Sequence, residues 1–177
     1  MNDTKNNVIP ISLITIKCQW WLAALYEQII RVEENLKTTE YKKQIQRMAD
    51  DHFLKISLKL LYEWLVEFDK YVEGFEKIIK QMNSLGNIKL LRNVSEHEID
   101  YYKSNGNNQK EFFNNEYNQS IIRPLIIDDV YYIGGLININ NLKLVLKVLD
   151  KKLKKNNYTF KSEAIPLLDK LLEKTKL

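Results

Sequence analysis

Arginine and histidine stand five positions apart, as Arg92 and His97, in the segment LLRNVSEHEIDYY at residues 90–102. A neutral imidazole can take the proton of a ribose 2′-hydroxyl, and an imidazolium can protonate a leaving oxygen. A guanidinium can stabilise a charged phosphorane, and Asn93 could orient either partner. These residue types therefore indicate metal-independent cleavage of an RNA phosphodiester as the chemistry this segment could perform.

The spacing of the pair sets a geometric condition on such a site. Five positions along an α-helix separate two side chains by about 140°, so Arg92 and His97 do not share a face. Asn93 shares a face with His97, and Arg92 shares one with Glu96. A working site would need a second copy of the helix across a two-fold axis. We therefore expect a homodimer with a composite cleft at its interface.

His97 also has a purely structural explanation. Val94, His97 and Tyr101 fall at i, i+3 and i+7, which places the imidazole beside an apolar stripe, where it could be a satisfied core or edge histidine. Short motifs also arise by chance. The sequence contains a second pair at the same spacing, Arg47 and His52 in RMADDH, with no other feature of a site around it.

Apolar spacing predicts the elements that must position the motif. A stripe at intervals of three and four residues predicts a helix over 11–37, and Thr38 and Thr39 before Glu40 offer a cap for the next one. The second helix is long, and Gly74 kinks or splits it. After a turn at 83–87, residues 88–103 are predicted to form the helix that carries the motif. We expect the second helix to bury these residues: Ile45, Ala49, Phe53, Ile56, Leu60, Trp64, Phe68, Tyr71, Phe75 and Ile78.

The pattern changes in the last third of the chain. Residues 109–124 predict an irregular connection, and the β-rich runs 130–133 and 136–139 predict a small hairpin around Gly134 and Gly135. Asn140 and Asn141 can cap the following helix, whose stripe includes Leu142, Val145, Leu146 and Leu149. A last short helix is predicted over 162–172.

Composition restricts the class of protein. A chain of 177 residues with 45% hydrophobic residues can bury the core of one domain. The net charge of +4 is small for a dedicated DNA-binding protein, and the lysines at 151, 152, 154, 155 and 161 are more typical of a solvated helix face. No Gly-rich phosphate loop and no repeat is present.

A single cysteine, Cys18, excludes an internal disulfide and any cysteine cluster for a metal, which fits a reducing cytoplasm. We expect Cys18 to pack as a small hydrophobe. With two histidines and no ligand cluster, we predict neither a metal nor another cofactor. Lys17 and Gln19 interrupt the apolar stretch from Val8 to Leu25, so we interpret it as a buried helix and not as a signal peptide or a membrane span.

The motif in its helical context resembles the signature of the HEPN superfamily. The matching string runs from Leu91 to His97, continues through Glu98-Ile99-Asp100-Tyr101-Tyr102 and closes at Gly106. Two long amphipathic helices precede it, as that fold requires. The string covers about fifteen residues and the helical order about the first 105. One toxin subgroup of the superfamily is silenced by modification of a tyrosine that stands two residues after the histidine. In this chain Ile99 occupies that position.

The resemblance implies an all-α, HEPN-like up-and-down helical bundle that dimerises through the motif helices. On this basis we expect a single domain with a core bundle over 8–105, followed by the connection, the hairpin and the C-terminal helices over 106–177. The implied function is a metal-independent endoribonuclease of toxin–antitoxin or phage-defence systems. Arg92 and His97 would be catalytic with Asn93 as companion, and Glu96, Asp100 and Tyr101 are the candidates for substrate binding.

The expected partners are RNA or a nucleotide, a second copy of the chain and an antitoxin of the nucleotidyltransferase type, but no membrane. Two other functions stay open. In one, the protein is a non-catalytic nucleotide- or RNA-binding module in which Arg92 only holds phosphate. In the other, it is a helical interaction protein whose motif only stabilises the dimer.

Overall fold

The first two helices, α1 (Ile11–Glu34) and α2 (Tyr41–Asp69), pack against each other as a helical hairpin joined at residues 35–40. The computed structural model describes residues 9–36, 38–96, 113–114, 119–120 and 124–155, with the side chains at 92, 94–96, 113–114 and 119–120 outside that description. The predicted stripe of α1 is confirmed, since Ile14, Cys18 and Leu25 are fully buried. No helix in the described ranges is long and apolar enough to cross a membrane.

The buried face of α2 differs from the predicted one. Ile45 and Phe53 are exposed, whereas the core is lined by a different stripe of the same helix. That stripe consists of Leu54, Leu58, Leu61 and Leu65 and meets the predicted one at Phe68. The predicted burial of Phe68, Phe75 and Ile78 is confirmed. Both stripes have helical spacing, and packing against the rest of the core selects the leucine-rich one. The predicted Thr cap is also wrong: no side chain caps α2, and Thr38 Oγ1 only accepts a hydrogen bond from the Glu40 N–H.

A tight turn divides the predicted second helix at Gly74. Helix α2 ends at Asp69, and α3 (Glu76–Ser84) follows. Between them Gly74 has a φ of 92°, which residues other than glycine rarely adopt, so the helix does not continue through this position. Asp69 Oδ1 accepts a hydrogen bond of 2.9 Å from the Phe75 N–H across this turn. The predicted turn at 83–87 is confirmed, and α4 (Ile88–Glu96) begins directly after it.

Five short strands precede the last described helix. Strands β1 (Phe113–Asn114) and β2 (Gln119–Ser120) pair antiparallel, within a segment that we predicted to be irregular. Strands β3 (Leu125–Ile127), β4 (Val130–Ile133) and β5 (Ile137–Asn138) form an antiparallel meander in that order. The predicted hairpin is therefore confirmed as β4–β5, and β3 was missed. Asp128 and Asp129 both have positive φ, as a two-residue turn between β3 and β4 requires.

Helix α5 (Ile139–Lys155) begins earlier than predicted and has a different cap. Asn138 Oδ1 accepts hydrogen bonds from the N–H groups of Asn140 and Asn141, at 2.9 and 3.2 Å, so the two predicted caps are donors to the actual one. The predicted apolar stripe of this helix is buried. The predicted helix over 162–172 lies outside the described residues.

One hydrophobic cluster joins the five helices to strands β4 and β5. It includes residues of both long helices, of α3 and α4, of strands β4 and β5, and of α5. The described chain is therefore mostly helical, with a small antiparallel sheet that contributes Tyr131, Ile133 and Ile137 to the same core. Through this core the three-stranded sheet and α5 support the α1–α2 helical hairpin, against which α4 packs.

Candidate functional site

Helix α4 holds the start of the predicted motif against α2. Its first turn is capped by Asn87, whose Oδ1 accepts a hydrogen bond of 3.0 Å from the Leu90 N–H. Ile88 and Leu91 lie at i and i+3 and are buried, at 3% and 1% exposure. This apolar face fixes the rotation of the helix about its axis. Lys89 and Asn93, at i and i+4 on the other side, are exposed.

The structure places part of the predicted site. The backbone at Arg92, Asn93 and Glu96 is helical, as expected, and the Asn93 side chain is exposed. The side chains of Arg92 and Glu96 lie outside the described part of the chain, as do all atoms of His97, Asp100 and Tyr101. Of the six predicted site residues, Asn93 is thus the one whose side chain has a described position.

In the second arginine–histidine pair, each side chain has structural contacts of its own. The Arg47 guanidinium donates hydrogen bonds to the carbonyl oxygens of Leu36, at 2.9 Å, and Asn35, at 3.4 Å, and so closes the C-terminal end of α1. His52 contacts the ring of Phe53 edge-on, with 5.8 Å between the ring centroids. Arg47 therefore has a structural role at the end of α1.

A buried polar network on α2 was missed by the sequence analysis. The Lys55 ammonium lies 2.6 Å from one carboxylate oxygen of Asp51, and the Tyr131 hydroxyl donates a 2.6 Å hydrogen bond to the other. All three residues are buried, with exposures of 3%, 2% and 0%. Burial, the Asp51 charge and the hydrogen bond to it raise the pKa of Tyr131 far above its usual value, so this hydroxyl stays protonated.

The network is enclosed and therefore acts as a connection between elements. Neighbouring Asp50 is also buried, and its carboxylate accepts hydrogen bonds of 3.2 and 3.3 Å from the Gln46 amide. The i, i+4 spacing of Asp51 and Lys55 was the one signal in the sequence that could have predicted an ion pair. The third member of the network, Tyr131 on strand β4, is 80 positions away from Asp51 in the chain.

Open clefts on the surface of the described chain include two that have lysines in their walls. The first has a volume of about 490 Å³ and is lined by Tyr62, Asn83, Gly86, Asn87, Ile88 and Lys89. The second, of about 470 Å³, is lined by Glu73, Val148, Lys151, Lys152 and Lys155. The first adjoins the beginning of the motif helix, whereas the second belongs to the lysine-rich end of α5.

Buried titratable groups elsewhere in the core have no evident chemical use. Burial raises the pKa of the Cys18 thiol to about 12, so the thiol is protonated at neutral pH and Cys18 packs as the predicted small hydrophobe. Burial and, secondarily, the charge of Asp150 raise the pKa of Tyr26. Among the residues with described side chains, no group of three His, Cys, Asp or Glu could hold a metal ion.

Comparison with known proteins yields no relative. No family model, no curated protein and no solved structure matches this chain.

Proposed function

We propose that the protein is a metal-independent endoribonuclease of the HEPN type, with its active site in a cleft between two copies of the chain. The observation that supports this function is the orientation of α4. Its apolar face is fixed against the helical hairpin, and Asn93, the polar companion in the motif, is exposed where a second copy or an RNA could contact it.

In the proposed reaction, one His97 accepts the proton of a ribose 2′-hydroxyl as the 2′-oxygen attacks the adjacent phosphorus. The new P–O2′ bond forms while the bond from phosphorus to the 5′-oxygen of the next nucleotide breaks, which leaves a 2′,3′-cyclic phosphate. A second His97, from the other copy and protonated, gives its proton to the departing 5′-oxygen. Arg92 stabilises the additional negative charge on the phosphorane.

The remaining residues of the proposal have supporting roles. Asn93 orients the imidazole one turn away or the phosphate, and Glu96, Asp100 and Tyr101 contact the substrate. A role in toxin–antitoxin or phage-defence systems, with an antitoxin of the nucleotidyltransferase type, follows from the same resemblance. This role and the cytoplasmic location are part of the proposal.

A second candidate function is a nucleotide- or RNA-binding module without catalysis. The observation that favours it is the cleft of about 490 Å³ beside α4, which has Lys89 and two asparagines in its wall. This module would hold a phosphate at α4 and leave the strand intact.

The test incubates the purified protein with total tRNA and a mixed RNA pool in EDTA, beside Arg92→Ala and His97→Ala. Matched controls are Arg31→Ala, which removes an exposed arginine paired with Glu27, and His52→Ala from the second pair. We expect the two motif variants to lose at least about 100-fold in cleavage rate, because each removes a group acting in the transition state. The two controls should cleave like the wild type.

An unchanged rate in His97→Ala would overturn the nuclease. Intact RNA with every variant folded and dimeric, combined with RNA binding that Arg92→Ala weakens, would favour the binding module instead.

A further inference from the structure

Among the residues whose side chains are described, none that lines the cleft beside α4 is acidic. Four of its lining residues carry side-chain hydrogen-bond donors: Tyr62, Asn83, Asn87 and Lys89. The Lys89 side chain is exposed and has no ion-pair partner among the residues with described side chains. A cleft whose described lining offers an ammonium and neutral donors, without a carboxylate, is suited to an anion.

Tyr62 supplies an independent indication of a ligand. It projects from the buried side of α2, is only 9% exposed, and lines this cleft. Within the described part of the chain its hydroxyl has no hydrogen-bond partner. Tyr26, by comparison, has its unpartnered hydroxyl enclosed in the core. A nearly buried phenol at the wall of an open cleft is a donor that a bound oxygen could satisfy.

The beginning of α4 adds a main-chain donor to the same wall. The side chain of Asn87 caps the Leu90 N–H, and the Ile88 N–H donates to the Gly86 carbonyl. The intervening N–H, that of Lys89, has no acceptor among the described residues. A free first-turn N–H at the positive end of a helix dipole favours an anion such as phosphate.

We propose that this cleft binds a backbone phosphate of the RNA, one that flanks the bond to be cleaved. The inference rests on the proposed function and adds a substrate-positioning subsite to it. Lys89 and Asn93 lie on one exposed face of α4, about 6 Å apart along the helix axis. An RNA strand that runs along this face of α4 contacts the cleft with one phosphate and the motif with a neighbouring phosphate.

The lysine-rich cleft at the end of α5 is less suited to this task. Glu73 places a carboxylate in its wall. The Lys152 ammonium donates to the Gly74 carbonyl and lies 4.7 Å from the centre of the Phe75 ring, so it is already engaged. The cleft beside α4 therefore has the better-prepared donors.

The first test titrates inorganic phosphate, and then a 2′-deoxy oligonucleotide that this chemistry cannot cleave, into ¹⁵N-labelled protein. We expect the amide signals of Gly86 and Lys89 to move with both probes. Lys89→Gln should weaken oligonucleotide binding about tenfold. It should also reduce the slope of log affinity against log salt by about 0.7, the value for one phosphate contact on a single strand. Tyr62→Phe should weaken binding without changing that slope.

The control is Lys80→Gln, which removes an exposed lysine of α3 that pairs with Glu76, and it should bind like the wild type. Unmoved amides at Gly86 and Lys89, or equal binding by Lys89→Gln and Lys80→Gln, would overturn the subsite.

The same variants separate this inference from the nuclease proposal. If the protein cleaves RNA, Lys89→Gln should raise KM and retain kcat, because Lys89 holds a phosphate away from the reacting atoms. Cleavage with an unchanged KM would reject the subsite and keep the nuclease. Amide shifts and Lys89-dependent binding in a protein that cleaves nothing would reject the nuclease and keep the subsite.

Discussion

Asp51 lies on the buried face of α2, where its carboxylate has the Lys55 ammonium and the Tyr131 hydroxyl as partners. An isolated charge at this position would be expensive, because burial removes the water that stabilises it. The ion pair with Lys55 is local, at i and i+4, whereas Tyr131 comes from the sheet. The network therefore fixes the position of β4 on the α1–α2 helical hairpin, because the Tyr131 hydroxyl must lie within hydrogen-bonding distance of Asp51.

Tyr131→Phe tests this network and its dependence on pH. Because the pKa of Tyr131 is raised in the folded protein, the unfolded chain loses this proton first, at about pH 10. The stabilisation is therefore complete below about pH 10 and is lost as pH rises further. We expect Tyr131→Phe to cost about 1–3 kcal/mol at neutral pH, since Asp51 loses a buried donor. The variant should also lose less stability than the wild type between about pH 9.5 and 11.

The measurement is the free energy of unfolding from urea titrations at a series of pH values. Tyr41→Phe is the matched control, because Tyr41 is an exposed tyrosine at the start of the same helix. Parallel stability curves for the wild type and Tyr131→Phe would contradict the role assigned to the hydroxyl.

At the scale of the helices, the sequence predicted which segments are helical better than which faces are buried. The segments of α1 and α5 follow from local spacing, and the turn before α4 follows from local composition. The face of α2 does not, because this helix carries two apolar stripes. Asp51 and Lys55 interrupt the leucine-rich stripe in the sequence, and only their pairing with a distant tyrosine makes them compatible with burial. The expectation therefore favoured the stripe through Ile45 and Phe53, which is exposed.

The candidate site was predictable to the same degree. The helix that carries Arg92 follows from the helical spacing of the apolar residues in α4. The cleft beside it could not be predicted, because Tyr62 and Asn83 lie on two other helices and meet Lys89 only in the folded chain. Residue types indicate chemistry, but convergence across elements depends on tertiary packing.

The start of α5 gives a prediction for a helix cap. Asn138 Oδ1 accepts two main-chain N–H groups, so Asn138→Ala should destabilise the protein by about 1 kcal/mol. Asn140→Ala is the control one position into the helix: the Asn140 side chain is exposed, and its alanine variant keeps the main-chain donor. Thermal unfolding followed by circular dichroism compares the two. Equal losses would mean that the cap lies elsewhere than at Asn138.

At the scale of the whole molecule, the C-terminal sheet and α5 share one hydrophobic core with the N-terminal hairpin. A core shared across the chain predicts that these parts unfold together, in one cooperative transition. The chain contains a convenient reporter, because its three tryptophans, Trp20, Trp21 and Trp64, all lie in α1 and α2. Tryptophan fluorescence thus monitors the unfolding of the α1–α2 helical hairpin alone.

Leu146→Ala tests the shared core from the far end of the chain. Leu146 is fully buried in α5, so its truncation should cost about 2–5 kcal/mol through lost burial and a residual cavity. We expect the tryptophan-reported urea midpoint to fall, although no tryptophan lies in α5, and to coincide with the midpoint from circular dichroism. Leu144→Ala, two positions away and 62% exposed, should leave both midpoints in place. A fluorescence midpoint that Leu146→Ala does not move would show that α5 melts independently, and the sheet and α5 would then not support the hairpin that carries α4.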